Sequence, residues 1–480
     1  MSDAAAERLS ASGAWASLGS FMACPDCVQP LRAISPSQPL LDCLHCGSSY
    51  PVIASGEMQL PWLFTNPRGA LGDWQARLRG FRELSLRAVT AIERSLADAA
   101  LPAATRERLE RLSAAHTEQR RQVDELLAPL ALDRAGDDGA PPVGLEAQVA
   151  SSQGVDSYYG NIFRDWAWGD TENRLLVDIV VDLFERAARA NPGELLVIGG
   201  GACRLPYDLH LKLKPERTTV LDINPLLLLT AARLVQGQTV ELTEFPLAPL
   251  SLAQVAIPHT LSAEALPDVA PPERFRLIFG DASRLPFLPG RFDTVLTPWL
   301  VDIIAEDFAT FAPRMNQALG VGGVWINTGS LAFFHRDPAR RYTPEEALAL
   351  VEAAGFDVLQ VGREPIPYLR SPASAQARHE TVFSFVARKR HDVPAPPAHR
   401  VLPEWLTDTQ QPVPELTGAA TDASQHLLQA HVLGAVDGKR SVDEIGRLLA
   451  AHHDVSIAAA TAAVRRILIE QADPANSLPG

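Results

Sequence analysis

No run of about eighteen apolar residues, the length that carries a helix across a bilayer, occurs anywhere in the 480 residues. A membrane-spanning helix is therefore not expected. The start, MSDAAAERLSASGAWASLGSF, has neither a basic leader nor a long apolar segment, which predicts a cytoplasmic protein. Positive charge is short: 43 Lys and Arg stand against 57 Asp and Glu, for a net charge of -14. Phosphate binding needs clustered Lys and Arg, so a nucleic-acid partner is not expected. Cysteine is scarce too, at five residues, and four of the five fall in two CxxC pairs. That suits a reducing compartment in which thiolates hold metal rather than oxidise. The remainder, 46% hydrophobic and 21% charged, is the composition of a soluble globular chain, long enough for two to four domains.

Residues 1–20 have no usable period and read as a disordered tail. Cys24 and Cys27, then Cys43 and Cys46, are separated by fifteen residues, the spacing of a zinc ribbon. Four thiolates close a tetrahedral shell around Zn2+ and leave no position for water, so this metal is structural. The ribbon is expected over 21–66. Leu, Ala, Arg and Glu at helical spacing, broken at Leu101-Pro102, predict a helical hairpin over 70–135, and the Gly- and Pro-bearing segment to about 153 reads as a linker.

The centre of the chain is ELLVIGGGACRLPYDLHLKLKPERTTVLDINP, residues 194–225. An apolar run too short for a helix meets Gly199, Gly200 and Gly201, where a backbone without Cβ atoms can turn sharply and let a ligand approach. About twenty residues on, a second run ends in Asp222, placed to accept from ribose hydroxyls. Cys203 and Arg204 stand where a dinucleotide fingerprint has its third glycine, so NAD fits poorly. Further strands are expected over 276–279, 292–296, 324–327, 358–361 and 381–387. A turn is expected at Gly320–Gly323, a capped helix from Thr343, and a Pro-rich insertion over 241–273 that covers the site. Asp281 and Asp302 follow strand ends as Asp222 does, and ligands of open α/β sheets bind there. An aromatic segment, SYYGNIFRDWAWG, precedes the first strand as a pocket wall or as plain core. Five alternating units and a terminal hairpin make the α/β class I methyltransferase pattern, a Rossmann-like seven-stranded sheet.

The segments FRDWAWG, PDVAP, GDAS and GGVWINTGSLAFFHRD, followed by YTPEEALALVEAAGFDV, resemble the carnosine N-methyltransferase family over residues 156–390. The resemblance implies S-adenosyl-L-methionine as cofactor. It places Phe163, Arg164 and Arg204 at that cofactor, Arg164 on its carboxylate, with Gly199 and Gly201 along its methionine part. Asp222 would take the ribose and Asp281, with Ala282, the adenine. Asp302 matches the acid that orients the substrate imidazole, and His335, one residue from the family's histidine, is its companion catalytic candidate. The chain has Ile198 and Cys203 where the family has a proline and a last glycine, and Ala377 to Glu380 where it has consecutive tyrosines.

Imidazole is mostly neutral at pH 7, with a reference pKa of about 6.5, and one ring N–H donated to Asp302 would fix the tautomer. A helix N-cap is the other use for that aspartate. The acceptor expected is the imidazole of a histidine-containing small molecule or peptide. A protein or modified-peptide histidine, and an inactive cofactor-binding scaffold, remain alternatives. The ribbon is also similar to that of bacterial ribosomal RNA guanine methyltransferases, which lack the WIN segment. After a Pro-rich linker over 391–420, three helices over 421–480 look like a winged-helix or PqqD-like module, with a peptide or protein as possible partner.

Overall fold

In the computed structural model, residues 21–35, 38–131, 154–187, 191–266, 274–304, 306–333, 335, 337–396, 419–453 and 455–472 are described. The expectations for 1–20, 132–153, most of 391–420 and the PDVAP segment fall outside them. Two compact units divide the chain, Met1–His399 and Arg400–Gly480. In the first, β1 (Leu31–Ser35), β2 (Gln38–Cys43), β3 (Ser49–Ser55) and β4 (Met58–Leu63) lead into α1 (Pro67–Leu96) and α2 (Ala103–Leu127). After α3 (Tyr159–Phe163) and a π-helical turn (Arg164–Trp168) come α4 (Asp170–Arg186), β5 (Glu194–Ile198), α5 (Arg204–Leu213), β6 (Arg217–Asp222) and α6 (Pro225–Val235). The unit continues through β7 (Val240–Glu244), β8 (Ile257–Leu261), β9 (Phe275–Gly280), β10 (Phe292–Pro298), α7 (Phe308–Ala318), β11 (Leu319–Gly329), α8 (Pro344–Ala353), β12 (Phe356–Tyr368) and β13 (Arg378–Lys389).

The fold is α/β with a mixed eleven-stranded sheet in the order β1-β2-β3-β4-β9-β6-β5-β10-β11-β13-β12. The seven expected strands form one contiguous block of it, β9 to β12. The excess over seven is the cysteine segment: β4 pairs in parallel with β9, Trp62 opposite Phe279 and Leu63 opposite Gly280. An edge that would otherwise be open is thereby covered. Strands β5, β6, β9, β10 and β11 are parallel, and β13 runs antiparallel beside β11. The chain steps from β5 outward to β6 and β9, then crosses to β10 on the other side of β5, which makes the carboxyl ends of β5 and β10 a topological switch point.

Side chains of β5 alternate between two cores, as the two-residue strand period requires. Leu195 and Val197 join α1, α2, α4, α5 and α6 on one face, whereas Leu196 and Ile198 join α7, α8 and the cysteine segment on the other. That is why the strand reads as an unbroken apolar run. In α1 the stripe Trp74, Leu78, Phe81 turns inward, and its Arg82 pairs with Asp124 of α2 at 2.8 Å. The break between the two helices spans 97–102, from the C-cap Ala97 of α1 to Pro102, the N-cap of α2. Gly320 to Gly323 form no turn: they lie inside β11, where the register against β10 slips between Phe292 opposite Leu319 and Thr294 opposite Val324. A bulge absorbs the glycines. Thr343 and Glu346 cap α8 reciprocally. Part of the insertion is the β7–β8 hairpin.

Lys389 is buried, and its Nζ donates to the carbonyl oxygens of Asn316 and Leu319, each at 2.6 Å. It thus satisfies the carboxyl end of α7. Lys389→Met should leave those carbonyls without a donor and cost about 2–4 kcal/mol in denaturant unfolding; a loss under about 0.5 kcal/mol would assign the lysine no such role.

The second unit holds α9 (Ala419–Gly434), α10 (Val442–His453) and α11 (Ile457–Ala472) around Val432, Ile445, Leu449, Ala460, Val464 and Ile467. The turn between α9 and α10 is set by Asp437, whose Oδ1 accepts from the Lys439 and Arg440 N–H groups at 2.9 Å. No strand lies among its described residues, so the wing of a winged helix is not among them. Among the described residues no helix is long and apolar enough to cross a membrane.

Candidate cofactor and acceptor site

The glycine turn after β5 divides its work. Gly199, at φ 76°, donates its N–H to the Leu221 carbonyl at 2.8 Å and fastens the turn to β6. Gly200 sets the packing, since a Cβ there would sit 2.3 Å from Val220 Cγ1. Gly201, at φ 57°, faces open space, with nothing within 4 Å of a Cβ. Cys203 also has a left-handed backbone, φ 65°, and is fully buried. A side chain in that region costs about 1–2 kcal/mol, which explains why glycine suits the position and shows what this chain tolerates there.

Asp222, at the end of β6, holds the turn from the other side. Its Oδ2 accepts from the Gly201 N–H at 2.8 Å and its Oδ1 from the Asn224 N–H at 2.9 Å. Burial pushes its pKa up to about 6, against the lowering effect of the Asn224, Gly201 and Ile223 N–H groups. A carboxyl raised in the folded state contributes stability that is present below its ordinary value, near 3.8, and is lost as pH rises through about 6. At neutral pH this is a buried carboxylate with accepting capacity to spare, which hydroxyl donors would stabilise.

The FRDWAWG segment lies against the same turn. Trp166 Nε1 donates to the Ala202 carbonyl at 2.8 Å, and Arg204 Nη1 donates to the Asp165 carbonyl at 3.0 Å. Arg204 is further held by Asp208 at 2.8 Å and Asp170 at 3.4 Å, with its guanidinium over the Trp166 ring. It clips the segment to α5. Gly169 is required at the bend, because a Cβ would fall 2.0 Å from the Arg164 carbonyl oxygen. Arg164 is buried, with Nε and Nη2 on Asp165 Oδ1 at 2.8 and 2.7 Å. Its Nη1 lies 3.5 Å from Glu172 and makes no hydrogen bond among the described residues. Burial pushes Glu172 up to about 7, while Arg164 and the Leu369 N–H act to lower it. One guanidinium N–H is thus without a hydrogen bond, beside an acid whose burial favours its neutral form. Phe163 is wholly buried, edge-on to Tyr159 at 5.2 Å and tilted against His259 at 5.2 Å, and so supports the segment from below.

Asp281 follows β9 and closes a short turn, its Oδ1 accepting from the Ser283 N–H and hydroxyl, each at 2.8 Å. Ala282 packs on the second core. Asp302 lies beyond β10, its Oδ2 accepting from the Ala332 N–H at 3.0 Å, which ties this loop to the one after β11. It does not cap α7; Asp307 does, accepting from the Ala309 N–H. Burial raises Asp302, the Ser330 hydroxyl and Ala332 N–H lower it, and the charge of Glu380 raises it. His335 is engaged locally, its Nδ1 accepting from the Asp337 N–H at 3.0 Å.

Two aromatics escaped the sequence reading. Trp299 follows β10 with a left-handed backbone, φ 51°, and a buried Nε1 that has no partner among the described residues. Its ring meets Tyr368, at the end of β12, with centroids 4.6 Å apart, and Arg378 lies over the same Tyr368 ring at 4.4 Å. Backbone strain and an unsatisfied donor thus stand together at this strand end. Pro298-Trp299 was the only local signal; the pairing is tertiary.

The four cysteines converge, their Sγ atoms all within 4.8 Å of one another. Cys24 to Cys46 is 3.6 Å and Cys27 to Cys43 is 3.4 Å, close to the roughly 3.8 Å edge of a tetrahedron with Zn–S bonds of about 2.3 Å. Around them, the buried Tyr50 hydroxyl donates to Asp26 at 2.7 Å and sits 3.0 Å from Cys24 Sγ. The donor set fits zinc.

No protein-family model matches the chain, and no curated protein matches it by sequence. Solved structures are similar to part of it. A Bacillus halodurans protein assigned as a methyltransferase is 14% identical over 44% of this chain and 98% of its own, with a TM-score of 0.30. A SAM-dependent methyltransferase from Methanosarcina mazei is 14% identical over 42% of this chain and 95% of its own, at 0.29. Phosphoethanolamine N-methyltransferase 2 from Haemonchus contortus, solved with S-adenosylhomocysteine, is 15% identical over 50% of this chain and 57% of its own, at 0.30. With overlaps this small, the fold rests on the strand order alone.

Proposed function

We propose that the chain is an S-adenosyl-L-methionine-dependent N-methyltransferase whose acceptor is an imidazole nitrogen of a histidine-containing small molecule or peptide. The observation that carries it is an open glycine turn and the buried Asp222 at the carboxyl ends of β5 and β6, with Arg164, whose Nη1 makes no hydrogen bond among the described residues, on the segment packed against that turn. Five parallel strands, β5, β6, β9, β10 and β11, and a terminal antiparallel hairpin support it, although no helix separates β9 from β10 where the alternating pattern expects one. The cofactor supplies a methyl group on a sulfonium for in-line displacement. The chain's part is to hold the nucleophile in line and keep water away.

In this reading Arg164 Nη1 takes the cofactor carboxylate, Gly201 lets its methionine part approach, Asp222 accepts from the ribose hydroxyls and Asp281 with Ala282 borders the adenine. Asp302 accepts the imidazole N–H and leaves the other nitrogen facing the methyl, with His335 three residues past Ala332, whose N–H Asp302 accepts, and Trp299 and Tyr368 as the aromatic wall. Formation of S-adenosylhomocysteine on a panel of imidazole compounds and histidine peptides tests it. Turnover on imidazoles only is expected; turnover on none of them, by protein that binds the cofactor, would remove the acceptor assignment.

Asp222→Ala should weaken S-adenosylhomocysteine by about 1.5–3 kcal/mol in calorimetry, the value of hydrogen bonds to a charged group. Undiminished affinity would place the ribose elsewhere. Because donors to Asp222 lower its pKa from about 6, binding near pH 6 should release protons, and affinity should climb up to that pH and then level. Calorimetry in two buffers of different ionisation enthalpy reads this; proton uptake would contradict it.

A further inference from the structure

The loop after β9 carries Asp281, and the cysteine segment grips that loop along its length. Cys24 is adjacent to Ala23, whose N–H donates to the Pro286 carbonyl at 2.9 Å, and the Leu288 N–H donates to the Phe21 carbonyl at 3.2 Å. Met22 bridges to Phe287 between these bonds, so residues 21–23 act as a short strand against 286–288. The rings add to it: Phe21 stacks on Phe287 at 6.1 Å, and Phe287 meets Phe292 of β10 edge-on at 4.9 Å. At its other end the loop leaves β9 through Gly280, paired with Leu63 of β4. A Cβ on Gly280 would lie 3.3 Å from the Leu63 carbonyl and 2.8 Å from Leu221 Cδ1, so the contact is close enough to exclude a side chain.

The strand 21–23 is buried, with Phe21 and Met22 in the second core and the Arg276 guanidinium 4.4 Å over the Phe21 ring. It is fixed by the first knuckle, through Cys24 N–H to the Gln29 carbonyl at 2.8 Å and Leu31 N–H to the Met22 carbonyl at 3.2 Å, and that knuckle is closed by the cysteine cluster. We propose that the metal-loaded ribbon is the positioning element for the 281–288 loop, so that zinc occupancy sets cofactor affinity from outside the cofactor site. This rests on the cofactor and zinc readings above. Loss of the metal frees residues 21–31, the loop loses its partner strand, and Asp281 is no longer presented.

The test uses the full chain with its zinc content measured, alongside Cys43→Ser and Phe287→Ala. Phe287→Ala keeps all four thiolates and removes the ring contacts to Phe21 and Phe292. Hydrogen exchange over 281–288 is read without ligand, and S-adenosylhomocysteine affinity by calorimetry. In Cys43→Ser, exchange there should speed by at least tenfold and affinity should fall by at least tenfold; Phe287→Ala should retain zinc yet shift both readouts in the same direction. A zinc-free Cys43→Ser protein with a protected loop and wild-type affinity overturns the proposal, as does a zinc-loaded Phe287→Ala protein unchanged in both. Should Cys43→Ser not fold, the Phe287→Ala result decides. Failure of the cofactor reading is distinct: the zinc-loaded wild type would then bind no S-adenosylhomocysteine, while the exchange difference between proteins would stand.

Discussion

Asp302→Asn is expected to lower turnover on the acceptor by about a hundredfold or more while cofactor affinity stays within a few-fold. The substitution is nearly isosteric, and its carbonyl oxygen can still accept from the Ala332 N–H that Asp302 accepts at 3.0 Å. The loops after β10 and β11 should therefore remain tied. On the proposed reading, what is lost is the anionic acceptor that would select one imidazole tautomer and stabilise the ring as its other nitrogen takes positive charge. With Asp307 capping α7, the aspartate at 302 has no helix-capping duty to confuse the result. Normal turnover by Asp302→Asn would remove it from the chemistry, and a tenfold loss of cofactor affinity would move it to the cofactor side.

Arg164→Met is expected to cost about 3–5 kcal/mol of stability, because breaking a buried ion pair strands its partners. Asp165 and Glu172 would stay buried without the guanidinium that touches both, at 2.7 and 3.5 Å. Cofactor affinity should fall by more than tenfold as the carboxylate loses its donor. The pH dependence has a definite sign. Glu172 is raised to about 7 from an ordinary value of 4.5, so its contribution to stability is full below that ordinary value and is lost as pH rises through about 7. Removing Arg164 raises it further, and the deficit should be larger at pH 8 than at pH 5. Denaturant unfolding at both values measures this; an equal deficit would mean that Glu172 is not charged beside Arg164.

Where chemistry depends on local order, the sequence was legible. The cysteine spacing, the three glycines with Asp222 behind them and the Thr343–Glu346 cap each need only neighbours in the chain, and each is found in the structure. The acids after β9 and β10 could be placed because strand ends follow from apolar runs. Tertiary pairing was harder. The apolar MQLPWL of β4, buried almost throughout, signals a strand covered on both faces, yet its partner β9 lies more than two hundred residues away. The wall of Trp299 and Tyr368 joins the ends of two strands that are not neighbours in the sheet, which no local pattern encodes. Gly320 to Gly323 mimic a turn because glycine serves a bulge equally well.

Calorimetric titration of S-adenosylhomocysteine into the zinc-loaded full chain at pH 7, run beside Asp222→Ala, tests the central claim most directly. One site per chain is predicted, with affinity reduced at least tenfold in the variant, the equivalent of about 1.4 kcal/mol or more. A folded, zinc-loaded wild type that takes up no S-adenosylhomocysteine, or binds it no better than Asp222→Ala does, would contradict it.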